Sequence, residues 1–341
     1  MTQTESTLLQ ILSIKLFPES HQGQTLPDVT PEVLELAKVH AVPLFVQWKG
    51  IDAHNNITVK LAAQQLHKIL TQAGIPYVIL KGSASAWYYG KRELMRTAGD
   101  IDFLVARGDV EKCTNVLVNT GSQRSTEPDC DYHRQFKKDG IEYELHWMVK
   151  GSQYSSQTIK TFMKDIIDTS VFRSGMNMPD DFHHGLVLLL HMISHITEGG
   201  LGLRQLCDWA VYVNQVDLSA WKNRYEECGL WTFACAVTAA CDRYLGSGPI
   251  STSHEMLNSI GSQNVPPIHE WCEDVPVSVC NDFIGEILQA GNFGRRNRIA
   301  YADLFLGDMS RPDQLSKRSR IRNVHFAGAG GRKMQYEVKQ Q

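Results

Sequence analysis

The 341-residue chain has no CxxC pair, no apolar run of membrane-spanning length, no internal repeat and no strong excess of either charge. Each absence removes a class of protein. The eight cysteines, at 113, 130, 207, 228, 235, 241, 272 and 280, lie apart in sequence, and a chain of this length needs no staples. Free thiols in a reducing compartment are therefore expected, rather than a disulfide framework or a zinc knuckle. The most apolar stretch, GLVLLLHMI at 185–193, is far too short to cross a bilayer. The opening MTQTESTLLQILSIKLF has no basic residues ahead of its apolar ones, so no signal peptide is expected. A formal net charge of −3 gives no global electrostatic case for a long nucleic acid, although a local basic groove stays open. What is left is an ordinary cytoplasmic globular protein, long enough for two domains.

Four segments follow from the patterning. Residues 1–75 read as an N-terminal helical segment. Thr30-Pro31 is a helix-start signal, Pro43 is a break, and Val59, Leu61, Ala62, Leu66, Ile69 and Leu70 form one stripe that stops at Gly74. Residues 76–170 mix the two kinds of element in an α/β core. A strand at 76–82 runs into a short helix at 83–90, and a second strand follows around AGDIDFLV. A helix is expected at 108–121, and a hairpin turns at Asp139-Gly140. Helices are expected at 156–168, 181–197, 201–215, 219–229, 230–245 and 276–290, with no strand beyond residue 155, so residues 171–309 form a helical region. The tail at 310–341 is basic and poor in core residues. It is expected to be flexible, with solvated charge favoured over an arm that binds RNA, lipid or an acidic partner.

The informative stretch is AGDIDFLV at 98–105. Side chains alternate along a strand, so Asp100 and Asp102 share a face, about 6–7 Å apart. Two like charges there repel each other. Divalent cations relieve the repulsion, because carboxylates and Mg²⁺ are matched hard partners. A two-metal clamp needs a third acid, and IEYELHW at 141–147 carries Glu142, Glu144 and His146 on one face. Glu144 is the preferred third acid and Glu142 its rival. LKGSAS at 80–85 then supplies a phosphate cradle: Gly82 for close backbone approach, Ser83 opening a helix, and Lys81 adding charge.

In that order these features resemble the DNA polymerase β-like nucleotidyltransferase superfamily. Leu80-Lys81-Gly82, Arg96 ahead of DIDFLV, and ELHW at 144–147 are similar to a bacterial branch of uncharacterised nucleotidyltransferases. LLLHMISH (188–195), GLRQLCDWA (202–210) and GNFG (291–294) add to the likeness. The resemblance implies an α+β fold: a polymerase β-like core, a mixed sheet with flanking helices, joined to a mainly helical region. It implies Mg²⁺ or Mn²⁺ on Asp100, Asp102 and Glu144, and an NTP, with ATP expected, held by Lys81, Gly82 and Ser83. Sixteen residues separate Ser83 from Asp100, more than the wider superfamily places there, and Arg92 or Arg96 could reach phosphate from that insertion. The expected reaction moves an NMP to an acceptor hydroxyl, which Glu144 helps to deprotonate, and releases pyrophosphate. A small molecule, a protein side chain and an RNA end all remain open as acceptor.

Plainer readings stand beside these. A regulatory or interaction module could bind nucleotide on the same fold without turnover. His191 and His195 lie one helical turn apart, as metal ligands do. Met192 stands where a zinc-protease motif needs Glu, so satisfied core or interface histidines are preferred to a metal-dependent hydrolase. His146 is either an orienting group or a hydrogen-bonded strand histidine. Arg204 and Asp208, at i and i+4, are expected to pair locally. CGLWTFACAVTAAC at 228–241 reads as packing.

Overall fold

The computed structural model describes residues 1–152, 156–198, 200–248 and 269–289. GNFG and the basic tail lie outside the described residues. Four helices open the chain: α1 (Gln3–Leu16), α2 (Pro31–Val39), α3 (Pro43–Val46) and α4 (Gly50–Gln72). Thr2 and Glu5 form a capping box on α1, and Thr30 caps α2 ahead of Pro31. Next come β1 (Tyr77–Ile79), α5 (Ser83–Trp87), β2 (Asp100–Val105), α6 (Val110–Asn119), β3 (Gln123–Arg124), β4 (His133–Lys138) and β5 (Ile141–His146). The remainder is α7 (Gln157–Lys164), β6 (Val171–Arg173), β7 (Met176–Met178), α8 (Asp181–Glu198), α9 (Leu203–Gln215), α10 (Lys222–Glu227), α11 (Trp231–Leu245) and α12 (Val277–Leu288). The architecture is α+β, a mixed sheet with a mainly helical region.

The five-stranded sheet has the order β1-β2-β5-β4-β3, with β2 and β5 parallel and the other neighbours antiparallel. Asp139 and Gly140, at φ 50° and 80°, make the tight turn between β4 and β5. Period-two alternation gives the sheet two distinct faces. Tyr77, Ile79, Ile101, Phe103, Val105, Tyr143 and Leu145 share a core with Val59, Ala63, Leu66 and Leu70 of α4 and Cys113 and Leu117 of α6. Val78, Leu80 and Leu104, from the opposite face, join a larger core built on α1, α8, α9 and α11. Asp100 and Asp102 alternate with Ile101 and Phe103, so they are on the face turned toward the helical region.

One expectation is overturned: strands do occur after residue 155. β6 and β7 form a hairpin through Ser174 and Gly175, at φ 52° and 82°. Met176 and Met178 enter the core under the sheet, and the hairpin is tied down by Gln64 Nε2 donating to Ser174 O at 2.8 Å. Three-residue strands written VFR and MNM carry too little alternation to read as strands alone. Their packing against β1 and α4 decides the matter. Among the described residues, no helix is long and apolar enough to cross a membrane, and all eight cysteines are free.

Candidate active site

The parallel pairing of β2 with β5 places Asp102 opposite Glu144 and Asp100 opposite Glu142. Carboxylate oxygens of Asp100, Asp102 and Glu144 all lie within 4.8 Å of one another, while Glu142 is exposed and outside the group. Which acid joins the aspartates is thus a matter of register between two strands almost forty residues apart.

Asp102 is 1% exposed. Its Oδ1 accepts from Lys81 Nζ at 2.8 Å and from His146 Nε2 at 3.0 Å, whereas its buried Oδ2 has no hydrogen-bond partner among the described residues. Burial alone would raise its pKa, but the Lys81 ammonium and the His146 bond outweigh it and hold the carboxyl well below the usual range. Asp100 goes the other way, raised by burial and then by repulsion from Asp102. Burial opposes the charge on Lys81, but Asp102 and Asp100 overcome it and raise the pKa. His146 is also raised: burial acts against it, and hydrogen bonds to Asp102 and Glu144 prevail. Glu144 accepts from His146 Nε2 at 3.2 Å and from Gln135 Nε2 at 3.3 Å, with His133 Nε2 at 3.8 Å.

Of these groups, Lys81, Asp100, Asp102, His133 and Glu144 line a cavity of about 240 Å³. Lys81, Gly82, Asp100, Asp102 and Glu144 form its sheet side, and Tyr132 and His133 one rim. His191, His195, Arg204 and Asp208, from α8 and α9, form the helical side. Gly82 sits at φ +59°, which favours a residue without a Cβ, and the point where a Cβ would sit is 3.5 Å from Asp100 O and 3.7 Å from Arg96 Nη1. Ser83 opens the five-residue α5 and lines a separate small pocket with Asn56 and Lys60.

The arginines are placed differently from the simplest expectation. Arg96 is 6% exposed and grips Asp208 through Nε at 3.1 Å and Nη2 at 2.8 Å, and Tyr89 donates to the same carboxylate at 2.8 Å. The expected local pair of Arg204 with Asp208 does not form. A guanidinium fork from another element takes both carboxylate oxygens, which one helical turn of spacing could not reveal. Arg92 approaches Glu19 at 3.9 Å and is not on the cavity wall. His191 and His195 touch at 2.9 Å between their Nε2 atoms, and neither belongs to a group of three metal-capable side chains among the described residues.

Sequence reading missed Asp208 and Tyr89 as partners of Arg96, and Gln135 and His133 as partners of Glu144. The second pair had a signal. A two-residue turn at Asp139-Gly140 fixes the hairpin register, placing Gln135 across from Glu144 and His133 across from His146.

The acids suit a hard divalent cation. Three carboxylates converge, Asp102 Oδ2 is buried with no hydrogen-bond partner among the described residues, and Asp100 and Asp102 repel each other. A second group, His133, Glu144 and His146, includes a histidine nitrogen already bonded to two carboxylates.

A family model described as "Uncharacterised nucleotidyltransferase" matches residues 34–246, well over half of the chain. The chain belongs to that family. Every residue of the cavity wall falls in the matched span, from Lys81 to Asp208. Membership implies a nucleoside triphosphate substrate. Comparison with curated proteins and with solved structures gives no match.

Proposed function

We propose that this nucleotidyltransferase-family chain is an enzyme that moves an NMP from an NTP, ATP being the expected one, to an acceptor hydroxyl. The observation that carries the reading is the convergence of Asp100, Asp102 and Glu144 in one cavity, with Asp102 Oδ2 buried and unpartnered among the described residues. Mg²⁺ or Mn²⁺ held by these oxygens would neutralise charge on the α-phosphate and on the departing pyrophosphate. Lys81 and His146 hold Asp102 ionised and fixed in place. Gln135 and His146 orient Glu144, which is 20% exposed and able to take the acceptor's proton. The acceptor oxygen then forms a bond to the α-phosphorus as the bond to the β-phosphate oxygen breaks, and pyrophosphate leaves. The Gly82 turn and Lys81 form the phosphate side. In this reading residues 76–170 are the nucleotidyltransferase core, residues 171–309 are the helical region, and α8 and α9 of that region close the cavity over the core. The free cysteines accord with a cytoplasmic setting.

The test incubates the protein with each α-³²P-labelled NTP, a divalent cation and a cell extract, wild type beside Asp100→Asn. Label should pass to an acceptor with wild type and fall at least about 100-fold in the variant, the scale of losing one charge-stabilising group. Undiminished transfer by Asp100→Asn would sink the site assignment. Metal-dependent NTP binding without transfer would put the regulatory module ahead.

A further inference from the structure

Four basic side chains other than histidine line the cavity: Lys81, Arg96, Lys150 and Arg204. Lys81 is 2.8 Å from Asp102, Arg96 is held by both oxygens of Asp208, and Lys150 is also engaged. Arg204 differs. Its guanidinium makes no hydrogen bond or ion pair with any described residue, although Asp208 stands one turn along the same helix. The first N–H groups of α9 are already bonded, Leu203 to His40 Nδ1 at 3.4 Å and Arg204 to His40 O at 3.3 Å. What this end of α9 offers the cavity is therefore the Arg204 side chain.

That side chain is partly buried beside a second cation. Burial first, and the charge of Arg96 next, pull its pKa below the ordinary arginine value, outweighing the attraction of Asp208, Asp100 and Tyr89. A desolvated charge without a counter-ion is unfavourable, and a bound anion relieves it. The position of Arg96 says which anion. Its Nη1 is 3.7 Å from where a Cβ on Gly82 would sit, so Arg96 stands beside the Lys81-Gly82 turn, and Arg204 lines the same cavity as that turn. A guanidinium fork matches phosphate oxygens in pairs.

We infer that Arg204 binds the polyphosphate tail of the incoming NTP, so that α9 completes the nucleotide site from the helical side. The inference rests on the nucleotide-binding reading above. It makes Arg204 a substrate-binding residue whose removal leaves the ligand-free fold undisturbed.

Calorimetric titration of the full chain with ATP, AMP and inorganic tripolyphosphate, each with Mg²⁺, tests it on wild type, Arg204→Gln and Arg204→Lys. Arg204→Gln should weaken ATP and tripolyphosphate about 10- to 100-fold, the scale of hydrogen bonds to a charged group, and leave AMP unchanged. Arg204→Lys should recover part of the loss. Ligand-free Arg204→Gln should melt at or above the wild-type temperature, since no pair is broken. Equal weakening of AMP and ATP, or a clearly lower melting temperature, would make Arg204 structural and overturn the inference. Unchanged ATP affinity with reduced label transfer would assign Arg204 to an acceptor phosphate instead, also overturning it. If wild type bound no NTP at all, the nucleotide reading itself would fall.

Discussion

Two aspartates two residues apart have opposite electrostatic positions, and that difference is measurable without any ligand. Asp102 is anchored by Lys81 at 2.8 Å and His146 at 3.0 Å, whereas Asp100 has its charge opposed by burial and by Asp102. Removing Asp102 strands the Lys81 ammonium, a side chain only 19% exposed. Asp102→Ala should therefore lower stability by about 3 kcal/mol, the usual scale for breaking a buried pair. Asp100→Asn relieves repulsion and should be neutral or slightly stabilising. Urea unfolding of the two variants checks this, and equal losses would contradict the assigned partners. Alternation along DIDFLV is enough to show that the two carboxylates share a face. It says nothing of which one Lys81 and His146 select, because those residues arrive from other elements.

At the scale of the element, α8 shows a glycine whose role depends on its neighbours. Gly185 lies inside a helix, where replacement by alanine ordinarily gains about 1 kcal/mol. Here a Cβ would collide with the hydroxyls of Tyr212 and Tyr225. Those hydroxyls donate to Asp181 O at 2.8 Å and Phe182 O at 3.2 Å, so they are not free to swing away. Gly185→Ala should thus destabilise by about 1–3 kcal/mol, as overpacking does. A Tyr212→Phe/Tyr225→Phe background should recover part of it, measured by urea unfolding. A stabilising Gly185→Ala would contradict this packing. The helix itself was readable from the spacing of its apolar residues, but the collision needs α9 and α10 in place. The β6–β7 hairpin lay beyond sequence reading for a related reason: three-residue strands acquire their identity from the sheet and helix they pack against.

Across the whole molecule, the sheet and the helical region meet through buried polar and aromatic contacts. Arg96–Asp208 is one, with Tyr89 on the same carboxylate. His184 is another: it stacks on Tyr88 at 4.6 Å, and neither ring nitrogen has a hydrogen-bond partner among the described residues. Burial lowers its pKa from 6.5 to about 4. The folded protein resists protonation that the unfolded chain accepts, so stability is complete above pH 6.5. It falls as pH drops from 6.5 toward 4, by about 3 kcal/mol in total. His184→Phe keeps the aromatic stack and removes the proton site. Denaturation midpoints from pH 7.5 to 4.5 should therefore fall more steeply for wild type than for the variant, and parallel curves would refute a neutral buried imidazole.

The sequence by itself determined the local features: the cap of α2, the Asp139-Gly140 turn, the shared face of Asp100 and Asp102, and the family likeness that these motifs carry in order. Backbone sterics and strict alternation act over a few residues, so they are legible in a few residues. Only the tertiary structure decided that Glu144 rather than Glu142 converges on the aspartates, that Asp208 belongs to Arg96, and that Arg204 lines the cavity without a partner among the described residues. Those outcomes depend on strand register and on the approach of elements about a hundred residues apart. Charge attracts charge without regard to sequence distance, and packing settles which of several eligible partners arrives.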